Sequence, residues 1–291
     1  MNELFRLQDA DEYSAAEKIY LSATGTSRSA VVLAASRGRG LEAITADRPK
    51  VMLPIAGKPL LRWLIDGFKK ESINDITVVG GYRADAIEAA GIKLVVNERY
   101  AETGELASLS CAADALDADA VISYGDLLFR SYVLRDLLET EADFAVVVDS
   151  SPADAGNRTV RDFADCSRAD DRGLFGSKVL LKSIVGEPTK HGRWIGMLKV
   201  SRNGLVKFKS VLGALRARAD FDSLDLPALL NALIADGAAI DVGRADGGYR
   251  VAEVIDHRDP PRDTGPLPHS ERVIQNHRVL DEIARDVEPL L

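Results

Sequence analysis

The chain has 291 residues, 46% of them hydrophobic and 28% charged, with a formal net charge of −8 at pH 7. That length buries a sizeable core as one large α/β domain or as two smaller ones, and the composition is that of an ordinary soluble globular protein. The acidic balance excludes a nonspecific nucleic-acid binder, which needs clustered Lys and Arg, and no apolar run approaches the ~20 residues of a membrane-spanning helix.

In chain order, Leu4, Phe5, Leu7, Tyr13, Ala16 and Tyr20 share one side of an expected helix over 4–20. This acidic, amphipathic opening is unlike a secretory signal. A polar linker, LSATGTSRS, separates it from AVVLAA (30–35), which reads as a fully buried strand. After a loop of Gly and Arg, Pro59 takes a first-turn position, where its missing N–H costs nothing, and opens a helix. Leu60, Leu61, Leu64, Ile65 and Phe68 give that helix its apolar stripe.

The alternation continues with a strand at 75–80, a helix over Arg83–Ala90, a strand at 93–97 and a helix over Ala107–Leu116. A strand at 120–126, a helix over Tyr132–Glu139 and a strand at 143–149 follow. Strands separated by helices predict βαβ units and a mostly parallel sheet. The stretch 150–190, rich in Asp, Arg, Ser and Gly, reads as an excursion over the ligand edge, either a small β-subdomain or a lid. A strand at 194–201, helices over Leu205–Ala219 and Leu226–Asp236, and a strand at 249–256 ending in Asp256 come next. A Pro-rich connector leads to a C-terminal helix over 270–288, opened by Ser270. The expected organisation is an N-terminal helix and linker (1–28) followed by one domain (29–291).

Cys111 and Cys166 show neither a disulfide framework nor metal-ligand spacing, which reads as two inert thiols in a reducing cytoplasm. The four histidines are scattered, and none belongs to a nucleophile motif. One window contrasts with the acidic background. Between Arg37 and Lys58 five basic residues face only Glu42 and Asp47, a local balance of +3, which fits either a small anionic ligand or a solvated loop. A glycine turn after a first buried strand can bring backbone N–H groups against phosphate. SRGRG (36–40) lacks the third glycine of a dinucleotide fingerprint, and no P-loop precedes Gly57-Lys58.

The whole segment LAASRGRGLEAITADRPK (33–50), followed by LPIAGKPLL (53–61), resembles the N-terminal motif of sugar-phosphate and phosphocholine nucleotidylyltransferases. The resemblance extends through Gly81-Tyr82, through Asn97 to Tyr100 with Ser108-Leu109, and to Gly125-Asp126. Its Asn-x-x-Tyr and Ser-Leu elements are similar to the phosphocholine cytidylyltransferase branch. It departs from the family at Ser36, where Gly is usual, and at Gly40, where an Arg holds the triphosphate; Arg37 or Arg39 is left to take that part. The resemblance implies a three-layer α/β/α, Rossmann-like (GT-A-like) fold with a mostly parallel mixed sheet.

It also implies a Mg²⁺-dependent enzyme of the EC 2.7.7 type. Lys50 would act on the α-phosphate of CTP, Arg37 would be a second catalytic residue holding the triphosphate, and Asp126 and Asp256 would hold the metal, with Asp149 as the rival of Asp256. Leu33, Ala34, Ala35, Ser36, Arg37, Gly38, Lys50, Gly81, Tyr82 and Ser108 would bind the nucleotide. Hard oxygen ligands suit magnesium. The acceptor is left to 150–195 and to the region around 249–258, and Lys178 and Arg193 are the candidates for holding a phosphate or phosphonate. No cluster of aromatics there forms a choline cage.

A second resemblance is short. FRLQDADEYSAAEKIYL (5–21) is similar to the terminal helix and exit segment of phosphoenolpyruvate mutases, some of which carry a fused transferase domain. It implies a CMP transfer to 2-aminoethyl- or 2-hydroxyethylphosphonate, with a phosphoenolpyruvate mutase domain as partner. The plain alternative is an N-terminal helix packed on the domain. Within the same class stand phosphocholine and sugar-1-phosphate transferases, and outside it a non-catalytic nucleotide-binding regulatory module.

Overall fold

The buried run from Ala30 to Ala34 sits at the centre of the sheet in the computed structural model, which describes residues 27–38, 44–150, 162–168, 178–189 and 191–245 and the backbone of 249–250. The expected helices over 4–20 and 270–288, and Asp256 with most of its strand, lie outside the described residues.

Strand β1 (Arg28–Ala34) pairs in parallel with β2 (Asp75–Gly80) and with β4 (Asp119–Tyr124), and β2 pairs in parallel with β3 (Lys93–Val96). Beyond β4 lies β8 (Arg193–Val200), antiparallel, and on its other side β5 (Phe144–Asp149), antiparallel to β8. Strand β9 (Ile240–Ala245) closes that side, parallel to β5. An antiparallel pair, β6 (Phe163–Cys166) and β7 (Leu181–Val185), joins the same sheet through Phe163 opposite Arg193. The result is the expected α/β fold with a mostly parallel mixed sheet. Because β1, β4 and β5 run the same way, their carboxyl ends, the usual place for ligands, share one edge.

Helices α1 (Leu60–Lys70), α2 (Glu105–Cys111), α3 (Ser131–Glu139), α4 (Gly204–Arg216) and α5 (Leu226–Ala235) pack in two groups, α1 with α3 and α2 with α5 and α4. All five apolar residues predicted for the α1 stripe are buried. At ~1.5–3 kcal/mol per buried large side chain, the stripe and not local propensity holds this three-turn helix.

Four elements differ from expectation. Arg83–Ala90 forms only a 3₁₀ turn, Ala84–Ala86, after a left-handed Arg83 (φ 48°). Of that segment only Ile87 is buried, so nothing repays the ordering of two helical turns. Pro59 stands just before the first turn of α1, because Lys58-Pro59 pairs with Pro54-Ile55 in a hairpin. Its two turn residues, Ala56 and Gly57, both have positive φ, as a tight two-residue hairpin requires. Helix α2 starts at Glu105 and ends at Cys111, short of the expected 116. Strand β9 gives no signal in the sequence: IDVGRA has buried residues only at its ends.

Lys199 of β8 is buried at the edge of the sheet away from the loop, where its ammonium donates to the Thr140 carbonyl. Burial holds its pKa below the ordinary 10.5, offset in part by Asp119. The unfolded chain therefore binds this proton more tightly, so stability should rise with pH between the lowered folded pKa and 10.5. Lys199→Met should remove that slope and stabilise the fold by on the order of 1 kcal/mol at pH 7, read by urea denaturation across the range. A variant that keeps the wild-type slope would contradict the assignment.

Candidate active site

Where β1 runs out, Ala35 is still buried and the chain turns away through Ser36, Arg37 and Gly38, the last at φ +89°. The return of this loop is fastened to the turn after β2. Tyr82 donates its backbone N–H to the Ala35 carbonyl (2.9 Å) and its hydroxyl to the Thr45 carbonyl (2.8 Å). The Arg37 guanidinium lies 4.9 Å from the centre of the Tyr82 ring, and its Nε donates to Thr45 Oγ1 at 3.4 Å. Gly81 permits this approach, since a Cβ there would sit 2.7 Å from the Ala35 carbonyl oxygen and 2.6 Å from Tyr100 Cβ. Arg37, Gly81 and Tyr82 thus shape and hold the loop, whereas Arg39 and Gly40 lie outside the described residues.

Lys50 is fixed by a single 3₁₀ turn, Lys50–Met52, that follows extended Pro49 and buries Val51 completely. Its Nζ donates to Asp126 Oδ2 at 2.8 Å. Asp126 follows the end of β4, and Gly125 brings it there. The Gly125 N–H donates to the Leu33 carbonyl (2.9 Å), and a Cβ at this position would stand 2.8 Å from Val51 Cγ1. Two residues 76 positions apart in the chain meet because glycine lets β1, the Lys50 turn and the end of β4 close on one another.

The opposite wall starts from Asn97. Its Oδ1 accepts the Arg99 backbone N–H (3.0 Å), which fixes the amide's orientation, and its Nδ2 donates to Ser108 Oγ and Thr103 Oγ1, each at 3.0 Å. The buried Ser108 hydroxyl therefore accepts from Asn97 and keeps its own proton for a further acceptor. Glu105, in the first turn of α2, accepts from the Tyr124 hydroxyl (2.7 Å) and from the Leu226 backbone N–H (3.0 Å), tying this wall to α5. Gly196, at φ +90°, leaves room for the Tyr124 ring; a Cβ there would be 2.0 Å from it.

These parts enclose a cleft of about 510 Å³, including its open mouth. Of the sequence-predicted residues, Leu33, Ala35, Ser36, Lys50, Ser108 and Asp126 line it, and Ala34 lies buried in the adjoining strand. Lys178 pairs with Asp241 at 3.3 Å, and Arg193 lies 3.8 Å from buried Asp149 at the end of β5; neither lines this cleft. Tyr100, Thr103, Gly104, Glu105 and Tyr124 complete the lining. Of these, only Tyr100 carried a signal in the sequence, through its motif.

The described residues contain no cluster of three or more His, Cys, Asp or Glu side chains able to hold a metal on their own. The buried Asp126 carboxylate in the cleft wall is a hard oxygen donor, which fits a divalent cation that takes its remaining ligands from a bound molecule and water. Cys166 is buried, which pushes its thiol pKa up, while Cys111 is exposed. No helix among the described residues is long and apolar enough to cross a membrane.

A basic loop after the first parallel strand, and a lysine paired with a strand-end aspartate in the wall of a cleft, define a nucleotidyltransferase-type domain. The chain belongs to the MobA-like NTP transferase domain family, whose profile matches residues 30–191. Among its relatives are a CTP:phosphoglutamine cytidylyltransferase from Campylobacter jejuni, 31% identical over 42% of this chain and 53% of that protein, and a choline-phosphate cytidylyltransferase from Streptococcus pneumoniae, 32% identical over 37% of this chain and 49% of that protein. A CMP-5'-(3-aminopropyl)phosphonate synthase from Streptomyces rubellomurinus is 31% identical over 51% of this chain and 25% of that protein. The chain thus spans about half the length, or less, of these curated relatives. The solved structure of a CTP:phosphocholine cytidylyltransferase from Streptococcus pneumoniae shares the fold. It superposes with a TM-score of 0.64 at 21% identity, over 79% of this chain and 96% of that one.

Proposed function

We propose that this chain transfers CMP from CTP to a small phosphonate, of the 2-aminoethyl- or 2-hydroxyethylphosphonate kind, and releases pyrophosphate. The observation that carries the reading is the meeting of Lys50 and Asp126 in the wall of the cleft, 2.8 Å apart. An acceptor oxyanion attacks the α-phosphorus in line, a new P–O bond forms, and the bond to the β-phosphate oxygen breaks. Little covalent chemistry falls to the protein, whose work is alignment and neutralisation of charge. Lys50 places a fixed positive charge against the α-phosphate oxygens as negative charge builds there. Tyr82 and Arg37 hold the loop that faces the phosphates.

Asp126, with Asp256 proposed as a second carboxylate, would hold Mg²⁺, which when bound neutralises phosphate charge and steadies the leaving pyrophosphate. CTP as the nucleotide is supported by the cytidylyltransferase relatives, and the Ser108 hydroxyl in the cleft wall can donate its proton to a base acceptor. The phosphonate acceptor is supported by the aminopropylphosphonate relative and by the likeness of residues 5–21 to phosphoenolpyruvate mutases, which makes such a mutase, in a reducing cytoplasm, the proposed functional partner.

Pyrophosphate release tests this in one panel: CTP, UTP and dTTP, each with Mg²⁺, against phosphonates, phosphocholine and hexose 1-phosphates. The expected outcome is turnover with CTP and a phosphonate. Turnover confined to UTP or dTTP with a hexose phosphate would move the chain to the sugar branch. CTP binding without turnover of any acceptor would make it a regulatory module.

A further inference from the structure

The two groups that the proposed chemistry needs on different partners are paired with each other in the structure. The Lys50 ammonium and the Asp126 carboxylate meet at 2.8 Å, with 12% and 2% of their side chains exposed. The ammonium sits on Asp126 Oδ2, and a divalent cation brought to the same carboxylate would meet that positive charge at close range. The backbone that carries Asp126 is held in place, since the Gly125 N–H donates to the Leu33 carbonyl and Val51 leaves no room there for a Cβ. Lys50, on a four-carbon stem, is the partner able to move.

We infer that the resting cleft does not take up the divalent cation by itself, and that the nucleotide enters as its cation complex. The inference rests on the reading under Proposed function. As the complex docks, Lys50 exchanges the carboxylate for the α-phosphate and Asp126 exchanges the ammonium for the cation. Each buried charge keeps an opposite partner throughout, so no charge is stranded in a low-dielectric site. The ion pair is thereby a latch on the metal site, opened by substrate. Linkage makes the effect reciprocal: whatever the pairing takes from metal affinity in the free chain, nucleotide binding returns.

The test is Mn²⁺ binding, followed through the electron paramagnetic resonance signal of free Mn²⁺. With no nucleotide, wild type should bind weakly and Lys50→Gln at least about tenfold more tightly, a coupling within the usual range for linked sites. Lys50→Arg, which keeps a cation on Asp126, should stay near wild type. The measurement that needs no variant is on the wild-type chain with CTP, which should hold Mn²⁺ at least about tenfold more tightly than CTP does in solution. Equal affinity of wild type and Lys50→Gln, or no gain from the wild-type chain over CTP alone, would overturn the latch. Asp126→Asn separates this from the parent reading. If it leaves retention of the Mn²⁺–CTP complex unchanged, Asp126 is not the metal carboxylate and the proposed chemistry itself fails.

Discussion

Lys50→Ala should lower the turnover of CTP by about 10²–10³-fold or more, because loss of one preorganised transition-state contact costs ~3–4 kcal/mol. The effect should fall on kcat more than on KM, since the contact strengthens as charge builds on the α-phosphate. The substitution also takes the ammonium away from Asp126, whose side chain is only 2% exposed. Breaking a buried ion pair from one side costs ~3–5 kcal/mol where no water or ion replaces the partner. The open cleft admits both, so the stability loss should be smaller, and a urea midpoint measured beside kcat keeps the two effects apart. A folded Lys50→Ala chain with near-wild-type kcat would remove Lys50 from the chemistry.

Asp126→Asn should be at least as damaging to turnover and much milder to the fold. The amide is the same size as the carboxylate, and its Oδ1 can still accept from Lys50, so the convergence of β1, the Lys50 turn and the end of β4 survives. What is lost is the negative charge that holds a hard cation. Turnover should fall by several orders of magnitude and should not recover at high Mg²⁺. Recovery at high Mg²⁺ would mean that Asp126 only assists a metal held mainly elsewhere.

The chain announces its sheet because buried parallel strands must be nearly continuous in Val, Ile and Leu. The run DITVVG could be placed to the residue, and it pairs as β2 between β1 and β3. The elements that were hidden lack such a run. Strand β9 is held mostly by its backbone pairing to β5, and the hairpin at Ala56-Gly57 turns on two left-handed residues, of which only the glycine signals itself.

The site divides along the same line. Lys50, Ser108 and Asp126 sit in local motifs and were legible at once, and all three line the cleft. Glu105 and Tyr124 were not, because their roles are relational. Tyr124 matters through the space that Gly196 leaves for it, 72 residues later, and Glu105 through the Leu226 N–H, 121 residues later. Neither distance can be read from spacing. Arg37 shows the reverse: a basic residue expected on phosphate is spent in part on the Tyr82 ring and Thr45, as a fastening of the loop.

Phosphorus-31 NMR of the 291-residue chain with CTP, Mg²⁺ and 2-aminoethylphosphonate asks the decisive question of bonds made and broken. The CTP resonances should decay together, replaced in equal amounts by pyrophosphate and by a coupled pair from the new phosphonate–phosphate anhydride, and neither should form with Asp126→Asn. Pyrophosphate without the coupled pair, or no change in CTP while it is demonstrably bound, would contradict CMP transfer to a phosphonate.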